Sequence, residues 1–592
     1  MKAWGIVWSG AAAYLLAVGT WAAHESGRAQ DKTPPAVDEL FADYTKAGSP
    51  GCALAVYRDG KIILTKGYGL ANIEEHVSIT PQSVFDIGST SKQFTATSIL
   101  LLEKRGKLSV SDDVRKYIPE LPDYGQKITI LNLLNHTSGL RDYLTLMDLA
   151  GINIDSVTTD DDALQIITRQ KALNFTPGSE FLYSNTGFFL LSVIVKRVSA
   201  KSLHEFAAEN IFNPLGMVHT QYRDDHTALI SGRALAYDPK ENKNGYTLNV
   251  SYFEQTGDGA VHTSVEDLQK WDENFYSGQI GGKGFLAEIQ EQGKLNSGKV
   301  LDYAKGLSIN DYRGLHTVSH GGSWGGYRAE LLRFPEQHFS VACLCNRGDA
   351  NPSKKAHDVA DIYLASLLKP AEKAAAPGTA SAAGPVLSDA QLQALTGTYR
   401  DPAKGTVFRI STRNHRLAAE ILDSPRAQNR IGQRMELRAR SATEFVPASL
   451  PVDIKQLIFE PGSNDAPKKM RITGEDVFNA EYEAIADYAP GTAELGAYAG
   501  DYASDELGVT FRLAMVEGKL KLVAMLDPAG FKRSGGIPPN ELRPAFVDEF
   551  EVSGTPVTLR FTRSAEHSVT GFTLEAGRTK GMIFTRRASS EK

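Results

Sequence analysis

The most informative stretch of the sequence is FDIGSTSKQF, residues 85–94. It begins an apolar helical pattern that continues through Leu102 and ends at residues 104–106, where two cations precede a glycine. Ser89 and Lys92, one turn apart, lie on the same face of this predicted helix. A serine hydroxyl becomes nucleophilic beside a desolvated lysine amine, and a helix N-terminus offers positive potential to an oxyanion. The pair alone also fits an N-cap serine with a surface lysine. Other motifs in the chain are needed to distinguish this interpretation from a catalytic pair.

Two further motifs follow in the chain. Tyr183 and Asn185 belong to a YSN sequence that follows a Pro-Gly turn at residues 177–178 and begins a second helical pattern. His320 opens an HGGS sequence that leads into a strand starting at Tyr327. The ordered set S-x-x-K, Y-x-N and H-x-G resembles the signature of the serine β-lactamase and penicillin-binding-protein superfamily.

Three flanking segments extend this resemblance. They read LLNHTSGL at residues 133–140, NPLGM at residues 213–217 and KGYG at residues 66–69. The motifs occur in the order that the family shows and cover residues 35–368. The chain resembles most the branch that contains class C β-lactamases, related esterases and D-aminopeptidases.

The resemblance implies an acyl-enzyme mechanism with a defined set of residues. Ser89 would attack the substrate carbonyl, while Lys92 and Tyr183 would share the general-base and proton-shuttle roles. Asn185 would hold the substrate amide or the lysine. The backbone N–H groups of Ser89 and Ser323 would form an oxyanion hole, in which one donor contributes on the order of 3 kcal/mol.

The third motif departs from the family pattern. The sequence has His320-Gly321-Gly322 where β-lactamases and carboxypeptidases usually carry Lys-Thr-Gly. A neutral histidine holds a substrate carboxylate poorly near pH 7, whereas a lysine is charged there. Gly321, Gly322 and Ser323 are expected to border the substrate. We therefore predict a D-aminopeptidase-like enzyme or a hydrolase of D-amino-acid amides and esters, with no metal or other cofactor.

Several alternatives remain open from the sequence. A class C-like β-lactamase, a D,D-carboxypeptidase or a carboxylesterase would use the same residues. An inactive scaffold that serves as a binding module of the cell envelope is the non-enzymatic alternative. Residues 321–325 also match G-x-S-x-G, the nucleophile elbow of α/β-hydrolases, but that motif requires a strand, a turn and a helix, and here a strand follows.

The pattern of elements predicts an α+β fold for residues 35–368. Residues 52–56 and 61–64 flank an Arg-Asp-Gly turn, and residues 327–334 and 338–345 flank a second turn, so both ends of this block form hairpins. The middle is mostly helical. These features predict a β-lactamase-like antiparallel sheet flanked by helices.

The rest of the chain has a different character. Residues 369–387 contain an Ala/Pro-rich segment that predicts a linker. Beyond it the sequence repeats itself: Gly-Thr-Tyr at residues 397–399 recurs as Gly-Asp-Tyr at residues 500–502, an offset of 103 residues. We predict two small all-β, barrel-like modules at residues 388–488 and 489–592. The resemblance to D-aminopeptidases implies two such barrels, which approach the active site and restrict substrates.

Composition excludes some functions. The chain of 592 residues has 64 basic and 70 acidic side chains, a net charge of −6 and no long basic run, which argues against a nucleic-acid partner. Three cysteines are too few for a disulfide scaffold. Cys343 and Cys345 would share one face of a strand, and we expect buried thiols there rather than a zinc site.

The N-terminus predicts export. Met1 and Lys2 precede an apolar stretch at residues 5–23, and small residues follow, as in a signal peptide at residues 1–29. A periplasmic or secreted protein without stable membrane insertion is expected; anchoring by an uncleaved N-terminal helix is the alternative. The expected partner is a small peptide, amide or ester substrate, and the sequence leaves the oligomeric state open.

Overall fold

A computed structural model describes residues 34–241, 244–370, 385, 387–403, 405–413, 415–423, 434–448, 454–460, 462, 468–474, 478–486, 488–526, 540–555 and 557–588. The predicted signal peptide and most of the predicted linker lie outside the described residues. Among the residues that are described, each helix is too short or too polar to cross a bilayer.

The first domain is built on an antiparallel sheet. Its strands, together with those of three small sheets beside it, are β1 (Cys52–Arg58), β2 (Lys61–Tyr68), β3 (Leu70–Asn72), β4 (Val77–Ser78), β5 (Phe85–Asp86), β6 (Gln221–Tyr222), β7 (Ala236–Pro239), β8 (Tyr246–Asn249), β9 (Val261–Thr263), β10 (Gln292–Lys294), β11 (Val300–Ala304), β12 (Leu307–Tyr312), β13 (Leu315–Trp324), β14 (Tyr327–Phe334) and β15 (Phe339–Cys345). The large sheet has the order β10-β11-β12-β13-β14-β15-β1-β2, so the two predicted hairpins meet where β15 pairs with β1.

Helices cover both faces of this sheet. They are α1 (Pro35–Leu40), α2 (Lys92–Lys104), α3 (Ile130–Leu134), α4 (Tyr143–Leu149), α5 (Asp160–Thr168), α6 (Asn185–Ser199), α7 (Leu203–Ala207), α8 (Asn213–Leu215), α9 (Val265–Ser277), α10 (Lys283–Ile289) and α11 (Pro352–Tyr363). The alternation of strand β1 explains the layers, since successive side chains point to opposite faces. Ala53 and Ala55 face the core of the middle helices, whereas Leu54 and Val56 face the core of α1 and α11. The predicted α+β fold is confirmed.

The structure corrects the prediction for one cysteine of this sheet. Cys345 is not a free thiol, because β1 and β15 are antiparallel neighbours whose register places Cys52 directly opposite it. The two residues form a disulfide across 293 positions of sequence. Cys343 remains a buried free thiol on the same face of β15, as expected.

Two closed eight-stranded barrels follow the first domain. The first barrel is preceded by α12 (Asp389–Leu395) and contains β16 (Gly397–Arg400), β17 (Val407–Arg413), β18 (Arg416–Asp423), β19 (Arg434–Ala439), β20 (Glu444–Pro447), β21 (Ile454–Glu460), β22 (Lys469–Gly474) and β23 (Ala480–Ile485). The second barrel is preceded by α13 (Thr492–Gly496) and contains β24 (Gly500–Ser504), β25 (Val509–Val516), β26 (Lys519–Leu526), β27 (Asn540–Phe546), β28 (Glu549–Val552), β29 (Val557–Arg563), β30 (Val569–Ala576) and β31 (Thr579–Arg586).

The sequence repeat corresponds to a structural repeat. Tyr399 and Tyr502 occupy equivalent places in the first strand of each barrel and are both fully buried. Each hydroxyl donates a hydrogen bond of 2.8 Å to the carbonyl four residues earlier. The repeated aromatic residues therefore pack inside the barrels, while the domain boundaries drawn from the sequence remain a prediction.

The second barrel packs against the first domain through a buried ion pair. Arg141, which follows the HTSGL segment, binds the carboxylate of Glu506, and the two side chains are only 1% and 4% exposed. Arg141 also donates to the carbonyls of Lys580 (3.1 Å) and Gly581 (3.0 Å). These bonds fix the β30–β31 hairpin of the second barrel on the first domain.

Candidate active site

Ser89 lies in a tight turn between β5 and α2. The turn is a 3-10 helix, Gly88–Ser91, and the α-helix begins only at Lys92, so Ser89 precedes the α-helix that the sequence predicts to start here. The tighter winding places residues three apart above one another. The Lys92 Nζ atom consequently lies 3.0 Å from the Ser89 Oγ atom.

Lys92 is fully buried and held by three oxygen atoms. Besides Ser89, its Nζ atom contacts Asn185 Oδ1 at 3.0 Å and the carbonyl oxygen of Asp258 at 2.6 Å. Burial lowers the pKa of Lys92 to about 7, with the charge of Asp258 opposing this shift and that of Arg578 adding to it. A lysine with this pKa exchanges a proton near neutral pH.

Tyr183 and Asn185 sit at the start of α6. The Asn185 N–H donates to Asp142 Oδ2 at 2.7 Å, which fixes the first turn of the helix and directs the amide to Lys92. The Tyr183 ring lies 4.9 Å from the Lys92 Nζ atom. Its hydroxyl is buried and makes no hydrogen bond of regular geometry to a described residue, although it lies close enough to the Ser89 side chain for a polar interaction. Burial raises the pKa of Tyr183, so the phenol stays protonated, although Ser89 and Arg578 oppose this shift.

Strand β13 forms the opposite wall. A Cβ atom added to Gly322 would lie 1.8 Å from the carbonyl oxygen of Ile87, and one added to Gly88 would lie 2.6 Å from the Ser323 nitrogen. Thr90 donates to the His320 carbonyl at 3.0 Å, which ties the two backbones together. Glycine at these positions therefore lets the backbone of Ser323 approach the turn that carries the nucleophile candidate.

The same strand excludes the nucleophile-elbow interpretation. Ser323 lies on β13, which turns directly into β14 as an antiparallel hairpin. The strand, turn and helix that the α/β-hydrolase motif requires do not occur at this place.

His320 belongs to a buried chain of hydrogen bonds. The Ser184 N–H donates to His136 Nδ1, so His136 Nε2 carries the proton and donates to the Tyr303 hydroxyl at 3.1 Å. Tyr303 in turn donates to His320 Nε2 at 3.1 Å, and His320 Nδ1 donates to the Gly321 carbonyl. Burial lowers the pKa of His320 to about 4. The ring is therefore neutral near pH 7 and supports β13 rather than offering a charge.

One cavity of about 830 Å³ brings most of these groups together. The predicted site residues that line it are Ser89, Tyr183, Asn185, His320, Gly321, Gly322 and Ser323, while Lys92 lies beneath it. The arrangement can supply a hydroxyl nucleophile, a base beside it and a glycine-rich backbone wall.

Three residues in or beside this site were given no role from the sequence. Asp258 accepts a hydrogen bond from Tyr143 at 3.0 Å and approaches Lys92 because its loop precedes β9, which pairs with β5. Tyr303 links the two histidines, and Arg578 comes from the second barrel. The glycine-rich loop of Asp258 indicates a place near the pocket but gives the residue no role, whereas no motif marks Tyr303 or Arg578.

The chain is similar to several known proteins. The family model described as Beta-lactamase matches residues 37–365. Penicillin-binding protein 4* of Bacillus subtilis (strain 168) is 28% identical over 442 residues, which are 72% of this chain and 92% of that protein. A D-aminopeptidase of Gluconobacter oxydans (strain 621H) is 28% identical over 362 residues, which are 61% of this chain and 65% of that protein, slightly less than two thirds of its length.

A solved structure supports the fold alone. The octameric penicillin-binding protein homologue from Pyrococcus abyssi superposes with a TM-score of 0.53 and 23% identity, covering 75% of this chain and 98% of that chain. Since the family model covers more than half of the residues and the fold agrees with it, the chain belongs to the Beta-lactamase family.

Proposed function

We propose that this protein is a serine hydrolase that forms a covalent acyl-enzyme on Ser89. The observation that carries the proposal is the buried Lys92 amine, 3.0 Å from the Ser89 hydroxyl and with a pKa lowered to about 7. Amides and esters of D-amino acids are the proposed substrates. The D-aminopeptidase relatives support this class.

The first step uses the neutral form of Lys92. A neutral amine has two N–H bonds and one lone pair. Asn185 Oδ1 and the Asp258 carbonyl accept the two N–H bonds, which leaves the lone pair directed at Ser89. Lys92 takes the hydroxyl proton as Ser89 Oγ bonds to the substrate carbonyl carbon. The carbonyl π electrons move to oxygen, where the backbone N–H groups of Ser89 and Ser323 stabilise the charge.

The second step expels the leaving group. The tetrahedral intermediate collapses, the bond to the amine or alcohol breaks, and Tyr183 donates its proton to the departing atom. The proton on Lys92 replaces the one that Tyr183 has given up. Water then attacks the acyl-enzyme by the same path in reverse, which releases the acid and restores the Ser89 hydroxyl.

A substrate panel tests the proposal. D-Alanine p-nitroanilide, its L-enantiomer, p-nitrophenyl butyrate and a chromogenic cephalosporin are incubated with the full chain, and chromophore release is recorded. Samples are acid-quenched, digested and examined by mass spectrometry. We expect the D-anilide to be preferred over the L-anilide and the acyl mass to lie on the peptide that contains Ser89. Turnover of the cephalosporin without any hydrolysis of the D-anilide would contradict the substrate class, and acylation elsewhere would contradict the mechanism.

Export is proposed as well. Disulfides persist in oxidising compartments, and the bond between Cys52 and Cys345 supports a periplasmic or secreted protein. The signal peptide at residues 1–29 remains a prediction.

The pH dependence of kcat/KM is expected to change when the Asp258 carboxylate is removed. The negative charge of Asp258 raises the pKa of Lys92, so Asp258→Asn is expected to lower that pKa. Because activity requires neutral Lys92, kcat/KM rises as pH rises through the lysine pKa, and in the variant this rise moves to lower pH. The measurement is the kcat/KM profile of the full chain between about pH 5 and about pH 9.

Asp148→Asn is the matched control for this prediction. It removes an exposed carboxylate from α4, the helix that also carries Tyr143. We expect its profile to follow that of the unmodified protein. An Asp258→Asn profile that stays in place or moves to higher pH would contradict the assignment of Lys92 as the base.

A further inference from the structure

Arg578 reaches the candidate active site from the second barrel. It stands in the short connection between β30 (Val569–Ala576) and β31 (Thr579–Arg586). Its guanidinium carbon lies 4.7 Å from the centre of the Tyr183 ring, and the side chain lines the same cavity as Ser89. A residue 489 positions after Ser89 (578 − 89) thus contributes a positive charge beside it.

The main chain around Arg578 is held by specific bonds. Asn174 Nδ2 donates to the Arg578 carbonyl at 2.9 Å, and the Lys580 N–H donates to Asn174 Oδ1 at 2.8 Å. Arg141 binds the carbonyls of Lys580 and Gly581 in the same hairpin, as described above. The first domain therefore fixes the main chain of the hairpin that carries Arg578, and so holds this arginine beside the candidate active site.

The guanidinium keeps donors for a ligand. The described carboxylate nearest to it is Asp142, at 3.6 Å, longer than a hydrogen bond. Asp142 is already engaged, because its Oδ2 atom accepts the Asn185 N–H at 2.7 Å. The Arg578 side chain remains 42% exposed. A guanidinium has five N–H donors, and no described residue accepts a hydrogen bond from those of Arg578.

Other basic groups of the cavity are differently engaged. Arg223 donates to the carbonyls of His226 and Ser251, and Arg328 donates to backbone carbonyls of its own hairpin. His320 is neutral, with both ring nitrogens in hydrogen bonds. Arg223 Nε also has no hydrogen-bond partner among the described residues, but the guanidinium of Arg578 lies against the Tyr183 ring and is partly exposed to the cavity.

We infer that Arg578 binds a carboxylate of the substrate, so that the site selects substrates with a free carboxylate close to the scissile bond. A guanidinium matches a carboxylate in a planar, two-bond geometry and carries its charge at all physiological pH values. The inference rests on the proposed function, since it concerns the substrate class of the same site. It assigns to the second barrel the charge that His320 does not supply.

Two substrate pairs test this assignment. In the first pair, D-alanyl-glycine carries a carboxylate on its leaving group and D-alanyl-glycinamide does not. In the second pair, mono-p-nitrophenyl glutarate carries a carboxylate on its acyl group and p-nitrophenyl butyrate does not. The full chain and its Arg578→Ala, Arg578→Lys and Arg578→Glu variants are compared by kcat/KM. In at least one pair we expect the charged member to be preferred, and Arg578→Ala to reduce this preference by about 10- to 100-fold.

Variants that change the charge of residue 578, and a variant of the neighbouring Lys580, distinguish an effect on carboxylate binding from an effect on folding. Arg578→Lys is expected to retain part of the preference, and Arg578→Glu to reverse it. Lys580→Ala is the matched control, because it removes a cation of the same hairpin that pairs with Glu180 at 3.9 Å. Its selectivity ratio is expected to equal that of the unmodified protein. Thermal unfolding of each variant shows whether the barrel remains folded.

The outcomes distinguish this inference from the proposed function. If Arg578→Ala lowers kcat/KM equally for both members of each pair, the ratio between them is unchanged. That result would overturn the role of Arg578. Ester selectivity that depends on Arg578, without hydrolysis of the dipeptides, would support the arginine and contradict the D-amino-acid substrate class. A lack of turnover for all four substrates would overturn both.

Discussion

Replacement of Ser89 by alanine is expected to lower kcat by about 10⁴-fold or more, because loss of the nucleophile removes the covalent route and leaves only binding and oxyanion stabilisation. Ser89 is partly exposed to the cavity, and Lys92 keeps Asn185 Oδ1 and the Asp258 carbonyl as acceptors when the Ser89 hydroxyl is removed. The thermal stability of the variant is therefore expected to stay close to that of the unmodified protein. The measurements are kcat at high enzyme concentration and the Tm.

Ser323→Ala is the control for this result. Ser323 lines the same cavity and is the serine of the G-x-S-x-G sequence, but in the proposed mechanism it acts only through its backbone N–H, which alanine retains. We expect a loss of less than about tenfold. A large loss for Ser323→Ala together with a small loss for Ser89→Ala would reverse the assignment of the nucleophile.

Replacement of Lys92 by methionine is expected to lower kcat by about 10³- to 10⁴-fold, because the hydroxyl of Ser89 loses its base. Methionine has a similar length and suits the fully buried position, but Asn185 Oδ1 and the Asp258 carbonyl lose their donor, so a folded protein with a lower Tm is expected. The acid limb that Lys92 sets near pH 7 is expected to disappear from the residual activity. The measurements are the pH profile of kcat/KM and the Tm.

Lys104→Met removes a lysine from the other end of the same helix. Lys104 is exposed and donates to the Gly281 carbonyl, far along α2 from Ser89. We expect this variant to retain full activity. If Lys92→Met kept more than about a tenth of the activity with an unchanged acid limb, another group would have to be the base.

The sequence was sufficient to predict the main architecture. Local patterns predicted the hairpins: residues 52–56 form a continuous apolar run, residues 327–334 mix apolar and charged side chains, and both segments adjoin turn residues. The repeat of Gly-x-Tyr at residues 397 and 500 predicted two modules because each barrel starts with the same buried tyrosine. These are properties of short segments, which a single chain displays without knowledge of its tertiary contacts.

The structural features that the sequence did not predict depend on contacts between segments that are distant in the chain. The disulfide of Cys345 requires the register between β1 and β15, which no local pattern contains. The same is true of Tyr303, which reaches His136 and His320 only after β11 joins the sheet. The 3-10 turn at Ser89 differs from the predicted α-helical start because β5 and β13 hold the backbone there.

The place of Arg578 in the chain has a consequence for protein synthesis. Ser89, Lys92, Tyr183 and the wall of β13 are all translated by residue 324, whereas the arginine follows 254 residues later (578 − 324). At about 5–20 residues per second, the ribosome needs roughly 10–50 s to cover that distance. A nascent chain thus carries the reactive groups before it carries the residue that we infer to choose their substrates. The residue that we infer to set the substrate selectivity is therefore synthesised after the other residues of the site.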